Sequence, residues 1–408
     1  MTRRREFLIK KASDTGSAAQ NLNLQHTMKP TLLKTTLLAL SLTGLAALPA
    51  RADIGYQFVP VGDPGNAADT NTGAAYGSVS YNYNIGKYEV TLTQYTAFLN
   101  AVAAADPYGL YNPSMGTDMN SAGISRSGSD GSYTYSVIGS GNRPVTYVSM
   151  LDAMRMANWM QNGQLNGLGE VAATTETGAY TMSLGGLAPR NAGATVFVPS
   201  ENEWYKAAYY DPTIAGANKY WLYATRTDTV PGNTIGGTAN QANYKNGVYS
   251  VTQSASYSST QNYLTPVGSY SGSGSYYGTY DQDGNVWEWN DTVIGSDRGL
   301  RGGSWDPDGA PFLQSSGRLS SVPAGEGNTA GFRLASVAPA IIVGGSEILL
   351  AVEYRFNTTN GVSYRIEASP DLLSWTTIET PIIGNGTVNV RFYSIQGQQK
   401  QFYRTVQN

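Results

Sequence analysis

Residues 281–305 read DQDGNVWEWNDTVIGSDRGLRGGSW. Trp287, Trp289 and Trp305, alternating carboxylates, turn glycines and the pair Arg298 and Arg301 crowd into a chain that is otherwise only 13% charged. The DQDG segment has turn chemistry, and NVWEW alternates in the manner of a strand. Two readings are open. One is a carboxylate-lined metal turn leading into a buried strand; the other is a structural turn whose Glu288 pairs with Arg298 or Arg301. The tryptophans read as core in both, because flanking glycines permit close packing.

Working outward, 408 residues with 41% apolar content predict a folded chain with a sizeable core. The 47 glycines and 29 tyrosines favour a turn-rich fold over a helical bundle. The segment after Met28 has a basic start (Lys29, Lys34), an apolar run over residues 37–48, and Ala50-Arg51-Ala52. This is the pattern of a secretory leader cleaved near Ala52, with Met28 as the expected initiator. No later segment offers the roughly twenty predominantly apolar residues of a membrane helix.

Without residues 1–52 the chain carries 18 basic and 27 acidic residues, a net charge of about −9. That excess, with no Lys/Arg run, argues against nucleic acid as a partner. The single histidine, His26, lies in the leader, and the chain has no cysteine. Histidine-dependent and cysteine-dependent nucleophiles, Cys/His zinc sites and disulfides are therefore excluded from the mature protein. Oxygen-bound hard cations remain, calcium first among them.

Taken in order, residues 53–66 predict an edge strand and a loop, and residues 81–91 a second strand. Thr91 with Gln94, Ser149 with Asp152, and Ser200 with Glu203 have capping-box spacing and predict three helices. Residues 106–141 read as a long loop with a Ser-Asp-Gly turn at 129–131, residues 142–149 as a strand, residues 163–195 as a glycine-rich hairpin region, and residues 211–280 as low in periodicity.

KYEVTLTQYTAFLNAV, NRPVTYVSMLDAMRMANW, VPSENEWYKAA, DGNVWEW, RGLRGGSW, Arg318 and GFRLA (331–335) occur in an order and spacing that resembles the formylglycine-generating enzyme, or sulfatase-modifying factor, family over about residues 55–336. The resemblance implies an irregular α/β, C-type-lectin-like fold, low in regular secondary structure. It also implies a calcium site at Asp281, Gly284, Val286 and Glu288, and a second at Asn243 and Tyr244. Arg301, Arg318 and Arg333 are expected in buried ion pairs or hydrogen bonds to loop carbonyls. Catalytic members bind copper through two cysteines; here Pro307 and Phe312 stand near those places, so copper is not expected and the catalytic site reads as vacated.

The domain plan is a leader (1–52), the sulfatase-modifying-factor-like domain (53–336), a linker (337–345) and a small all-β module (346–408). In the last, Tyr364, Ile366 and Ala368 alternate with Arg365 and Glu367. Its SPDLLSW and FYR elements resemble C-terminal β modules of secreted proteins from Verrucomicrobia-like and Planctomycete-like bacteria. The expected function is non-catalytic binding of a peptide, glycan or surface protein outside the cytoplasm. The alternative is an enzyme, either an oxidase of the parent family or a carboxylate hydrolase using Asp306 and Asp308.

Overall fold

The computed structural model describes residues 54–73, 75–306, 309–337, 351–394 and 402–407. The expected leader, residues 338–345 of the expected linker, and Pro307 and Asp308 lie outside the described residues. In chain order the elements are β1 (Phe58–Val61), β2 (Tyr83–Gly86), α1 (Leu92–Val102), the single turn α2 (Ser114–Thr117), β3 (Ile124–Ser127), β4 (Thr134–Val137) and α3 (Met150–Gln161). There follow β5 (Val196–Phe197), α4 (Glu201–Tyr209), β6 (Trp287–Ile294), β7 (Asp297–Arg301), β8 (Leu319–Ser321), β9 (Ala330–Phe332) and β10 (Ala335–Val337). The C-terminal module adds β11 (Ala351–Asn357), β12 (Ser363–Ser369), β13 (Thr376–Ile383), β14 (Val388–Ser394) and β15 (Phe402–Gln407).

The helices start where their caps place them. Thr91, Ser149 and Ser200 each accept from the backbone N–H three residues on, and Gln94, Asp152 and Glu203 return the bond to the cap backbone. Each box contributes on the order of 1 kcal/mol. Helix α1 buries Leu92, Tyr95, Phe98, Leu99 and Val102 on one face. Helix α3 is buried nearly all round, Arg155 and Asn158 included, because it runs through the centre of the domain.

Two sheets frame these helices. One has the order β1-β2-β10-β5, with antiparallel pairing throughout. The other has the order β8-β7-β6-β9, in which β6 and β9 run parallel, with Glu288 opposite Gly331. A crossover is therefore built into the DGNVWEW strand, and the last strands of the domain return beside its first and its central ones. In the C-terminal module β11 pairs with β14 and β12 lies between β13 and β15, over a core of Phe356, Tyr364, Ile366 and Ile382.

Some expectations are corrected. Residues 106–141 contain the β3-β4 hairpin, closed at the expected turn by Ser132 N–H to Ser129 carbonyl at 2.8 Å with Gly131 at φ 84°. No strand forms at residues 142–149; Pro144 makes only an isolated bridge with Thr91. Residues 163–195 hold no hairpin. Asn158 reaches from α3 to Thr175 and Tyr180 carbonyls at 2.6 and 3.0 Å and shapes that stretch into short helical turns at Ala172–Glu176 and Met182–Leu184.

Those turns carry Glu170 against Asp106, whose carboxylate accepts from the Leu110 and Tyr111 amides at 2.7 and 3.1 Å. Glu170 is buried and neither of its oxygens has a hydrogen-bond partner. Burial, followed by the Asp106 charge, pushes its carboxyl up to about 8. The native state thus keeps a proton that the unfolded chain releases near pH 4.3. Stability should fall as pH rises from about 4.5 and level off above about 8. In urea melts across that window, Glu170→Gln should show a shallower decline than the parent and a higher midpoint at the alkaline end. Separately, Phe98 is fully buried, with its ring 5.1 Å from Trp159 and 5.5 Å from Tyr95. Phe98→Ala should cost about 3–5 kcal/mol in the same melts.

Candidate functional site: the 281–289 turn and the aromatic centre

The turn departs from ordinary backbone geometry in several places at once. Asp281, Gly284 and Asn285 have φ of 59°, 81° and 64°. For the two non-glycine residues this left-handed conformation is unfavourable and persists only where surroundings fix it. The fixing bonds are Gly284 N–H to Gly302 carbonyl (2.7 Å), Asn285 N–H to Asn243 carbonyl (2.8 Å) and Tyr280 N–H to Lys87 carbonyl (2.9 Å). A Cβ on Gly284 would lie 2.3 Å from the Asn243 carbonyl oxygen, so glycine is required for space as well as for φ. The Asn285 side chain accepts from Asn243 Nδ2 at 2.9 Å and from Thr265 N–H at 3.2 Å, and donates to Glu89 Oε1 at 3.1 Å.

Glu288, expected as a metal ligand or as a partner of Arg298 or Arg301, is engaged by Arg333 instead. Arg333 Nε and Nη2 reach Glu288 Oε2 and Oε1, both at 2.5 Å, and Trp204 Nε1 adds a 2.8 Å bond to Oε2. Both members of the pair are fully buried. Burial works against the Arg333 charge, but Glu288 more than offsets it and its pKa rises. Arg301 turns to Glu201 (2.8 Å), which also holds Arg318 through two bonds at 2.7 and 2.8 Å. Arg298 donates to the carbonyls of Gly186, Ala188 and Asp291.

Of the expected calcium ligands, Asp281 is buried and accepts from Gly268 N–H at 2.6 Å. Burial, partly opposed by that N–H, pushes its carboxyl up to about 6. The oxygen-only donor chemistry suits a hard cation, but Glu288 is already neutralised by Arg333 and does not fit as a ligand. Among the described residues no three His, Cys, Asp or Glu groups are placed to hold one ion. At the second expected site, Asn243 Nδ2 donates to Tyr263 carbonyl and Asn285 Oδ1, both at 2.9 Å. The Tyr244 carbonyl accepts from Asn233 Nδ2 at 3.2 Å, so the pair cross-links the loop.

Two buried carboxyls lie beside these residues, and sequence reasoning passed over the second of them. Asp283, inside the turn, has neither oxygen hydrogen-bonded. Glu89, in KYEVT, is 1% exposed with Oε2 unpartnered. A lone carboxylate beside the apolar Val90 was the available signal for Glu89.

The other half of the 281–305 stretch leads to the aromatic centre. Tyr263 stacks on Trp305 at 5.0 Å with an interplanar angle of 6°, Tyr249 lies 4.5 Å from Tyr263, and Tyr257 stacks at 5.9 Å beyond it. Trp305 and Tyr263 are buried, whereas Tyr257 is 56% exposed. The rim is polar. Tyr257 Oη donates to Asn120 Oδ1 at 2.5 Å, Tyr147 Oη and Asn328 Nδ2 meet on Asp118 at 2.5 and 3.0 Å, and Trp305 Nε1 donates to the Asn328 carbonyl at 3.1 Å. Phe312, at one expected cysteine place, packs edge-on to Trp287 at 5.7 Å. Trp289 is buried with Nε1 bonded to the Val148 carbonyl at 2.9 Å, and Val286 is buried beside Trp305.

Removing Arg333 would leave Glu288 buried and unmatched. Arg333→Met should cost about 3–5 kcal/mol in chemical melts, and adding Glu288→Gln should restore part of that loss.

Solved structures similar to the chain include Treponema denticola variable protein 1 (18% identity, 71% of this chain and 98% of that chain, TM-score 0.42). They also include CarF (22%, 70% and 100%, 0.41) and PvdO from Pseudomonas aeruginosa (18%, 70% and 92%, 0.36). No curated protein matches the chain by sequence. Residues 58–338 match the family described as "Sulfatase-modifying factor enzyme 1-like domain", and the chain belongs to that family, with a further C-terminal all-β module.

Proposed function

We propose that this chain is a non-catalytic member of the sulfatase-modifying factor family that binds a ligand outside the cytoplasm. The observation that carries the reading is the pairing of a cysteine-free chain with the Trp305-Tyr263-Tyr257 stack. Copper bound through thiolates needs cysteine, which this chain does not have. The chain instead presents an aromatic face with one open ring and amide, carboxylate and hydroxyl groups around it. Such a face suits a glycan or an extended peptide, where ring contact supplies area and the rim supplies direction. The leader pattern, the acidic mature chain and the C-terminal β module support export and surface attachment. Among the described residues no helix is long and apolar enough to cross a membrane. Calcium at the 281–289 turn belongs to this reading as a structural ion, not a reactive one.

The purified protein should take up no stoichiometric copper and consume no oxygen with a cysteine-containing peptide. On an array of bacterial polysaccharides and peptides, Tyr257→Ala should weaken the strongest ligand about tenfold while leaving the melting temperature within a degree or two, because the ring is exposed. Stoichiometric copper with peptide-dependent oxygen uptake would overturn the proposal.

A further inference from the structure

Two surface clefts meet around Asn71, Asn218 and Tyr220. One, of about 310 Å³, runs over Ala67, Thr70 and Tyr210; the other, of about 250 Å³, runs over Trp221 and Asp228. Together they fall in the size range of natural ligand sites, roughly 300–1,000 Å³. Neither shares a residue with the Trp305-Tyr263-Tyr257 stack.

The aromatic rings of the clefts are anchored by their polar ends. Tyr220 Oη donates to the Ala67 carbonyl at 2.8 Å and accepts from Asn66 Nδ2 at 2.7 Å. Tyr210 Oη donates to Asp63, and its ring meets that of Tyr220 edge-on at 5.1 Å. Trp221 Nε1 donates to Asp211 Oδ2 at 3.1 Å, and Asp211 is fully buried. With these ends committed to the protein, the rings offer a ligand hydrocarbon area, and they are in place before it arrives. Tyr210 and Tyr220 are buried, whereas Trp221 is half-buried, so the indole has the most surface to give.

The polar groups select by charge. Asp69 and Asp228 both line the second cleft. Lys219, the one cationic residue lining either cleft among the described residues, donates Nζ to the Ile214 carbonyl. A phosphate or a uronate would therefore meet two carboxylates against one lysine that is already engaged. Asp228 accepts from Leu222 N–H at 2.9 Å through Oδ1, which leaves Oδ2 for a ligand. Asn71 uses its backbone N–H on Asp69 at 2.9 Å, while its exposed carboxamide has no partner among the described residues and can both donate and accept. A carboxylate and a carboxamide side by side match the neighbouring hydroxyls of a sugar ring. No lining residue belongs to any of the strands β1–β15, so the clefts present no sheet edge for an extended peptide to pair with.

We propose that the two clefts together form a binding site for a neutral oligosaccharide, with Trp221 covering one sugar ring and Asn71 and Asp228 holding hydroxyls. The site is additional to the Tyr257 face and stands whether or not that face binds a ligand.

The test titrates the full purified protein with neutral tetrasaccharides of glucose, mannose, galactose and xylose, and with tetragalacturonate as the acidic control, by calorimetry and tryptophan fluorescence. At least one neutral sugar should bind with Kd below about 1 mM and shift the tryptophan emission, and the acidic one should bind at least about tenfold more weakly. Asn71→Ala should weaken the neutral sugar about tenfold without moving the melting temperature, because the side chain makes no bond within the protein. Trp221→Phe should retain measurable binding but lose the emission shift, and Tyr257→Ala should leave both intact. Parent-like affinity in Asn71→Ala, or a retained shift in Trp221→Phe, would overturn the proposal. So would failure of every neutral tetrasaccharide to bind, or tighter binding of tetragalacturonate. Loss of binding in Tyr257→Ala alone would put the sugar on the aromatic stack, overturning this site and supporting that one.

Discussion

Arg333 and Glu288 meet where the domain's earliest and latest segments cross. A fully buried guanidinium is tolerable only if every N–H is used, and here Nε and one Nη2 proton go to Glu288. The remaining donors go to the carbonyls of Gly86, Lys87 and Tyr280. With Trp204 bonded to the same carboxylate, one ion pair ties β2, α4, the 280–289 turn and the end of β9 to a single point. The Coulombic gain of such a pair only offsets its desolvation, so it adds little net stability over an apolar substitute. Its consequence is specificity of arrangement. Few other packings of these four segments would satisfy the charges.

The same device recurs along α4. Glu201 is shared by Arg301 and Arg318, and Glu203 receives Arg190, which also holds Asp291 at 2.9 Å. Both glutamates lie in the first turn of the helix, where the N-terminal end of its dipole favours negative charge. Each fork reaches a segment remote in sequence, so arginine bridges close long irregular loops. In a chain without cysteine, these knots do part of the work that disulfides do in small extracellular domains.

What the sequence made legible was mostly local. Capping boxes depend on residues three apart, and alternation around Trp287 and Trp289 depends on residues two apart, so helix starts and the buried strand could be read directly. The glycine at 284 was legible as a turn for the same reason. The partners of Glu288 were not: Cα register puts Arg301 opposite Glu288, yet the guanidinium that binds it comes from 45 residues away on the other side of the strand. Glu89 was missed because its partner Asn285 is 196 residues distant. Residues 163–195 misled because glycines there serve tight helical turns gripped by Asn158, a contact no local window contains.

Asn285 joins the two halves of the 281–305 stretch into one structure. Its backbone carbonyl accepts from Trp305 N–H at 3.0 Å, while its side chain holds Glu89 and Asn243. Asn243 in turn donates to the carbonyl of Tyr263, the ring stacked on Trp305. Both partners in the aromatic stack are therefore positioned from the turn, by short bonds between buried groups that have no competing water.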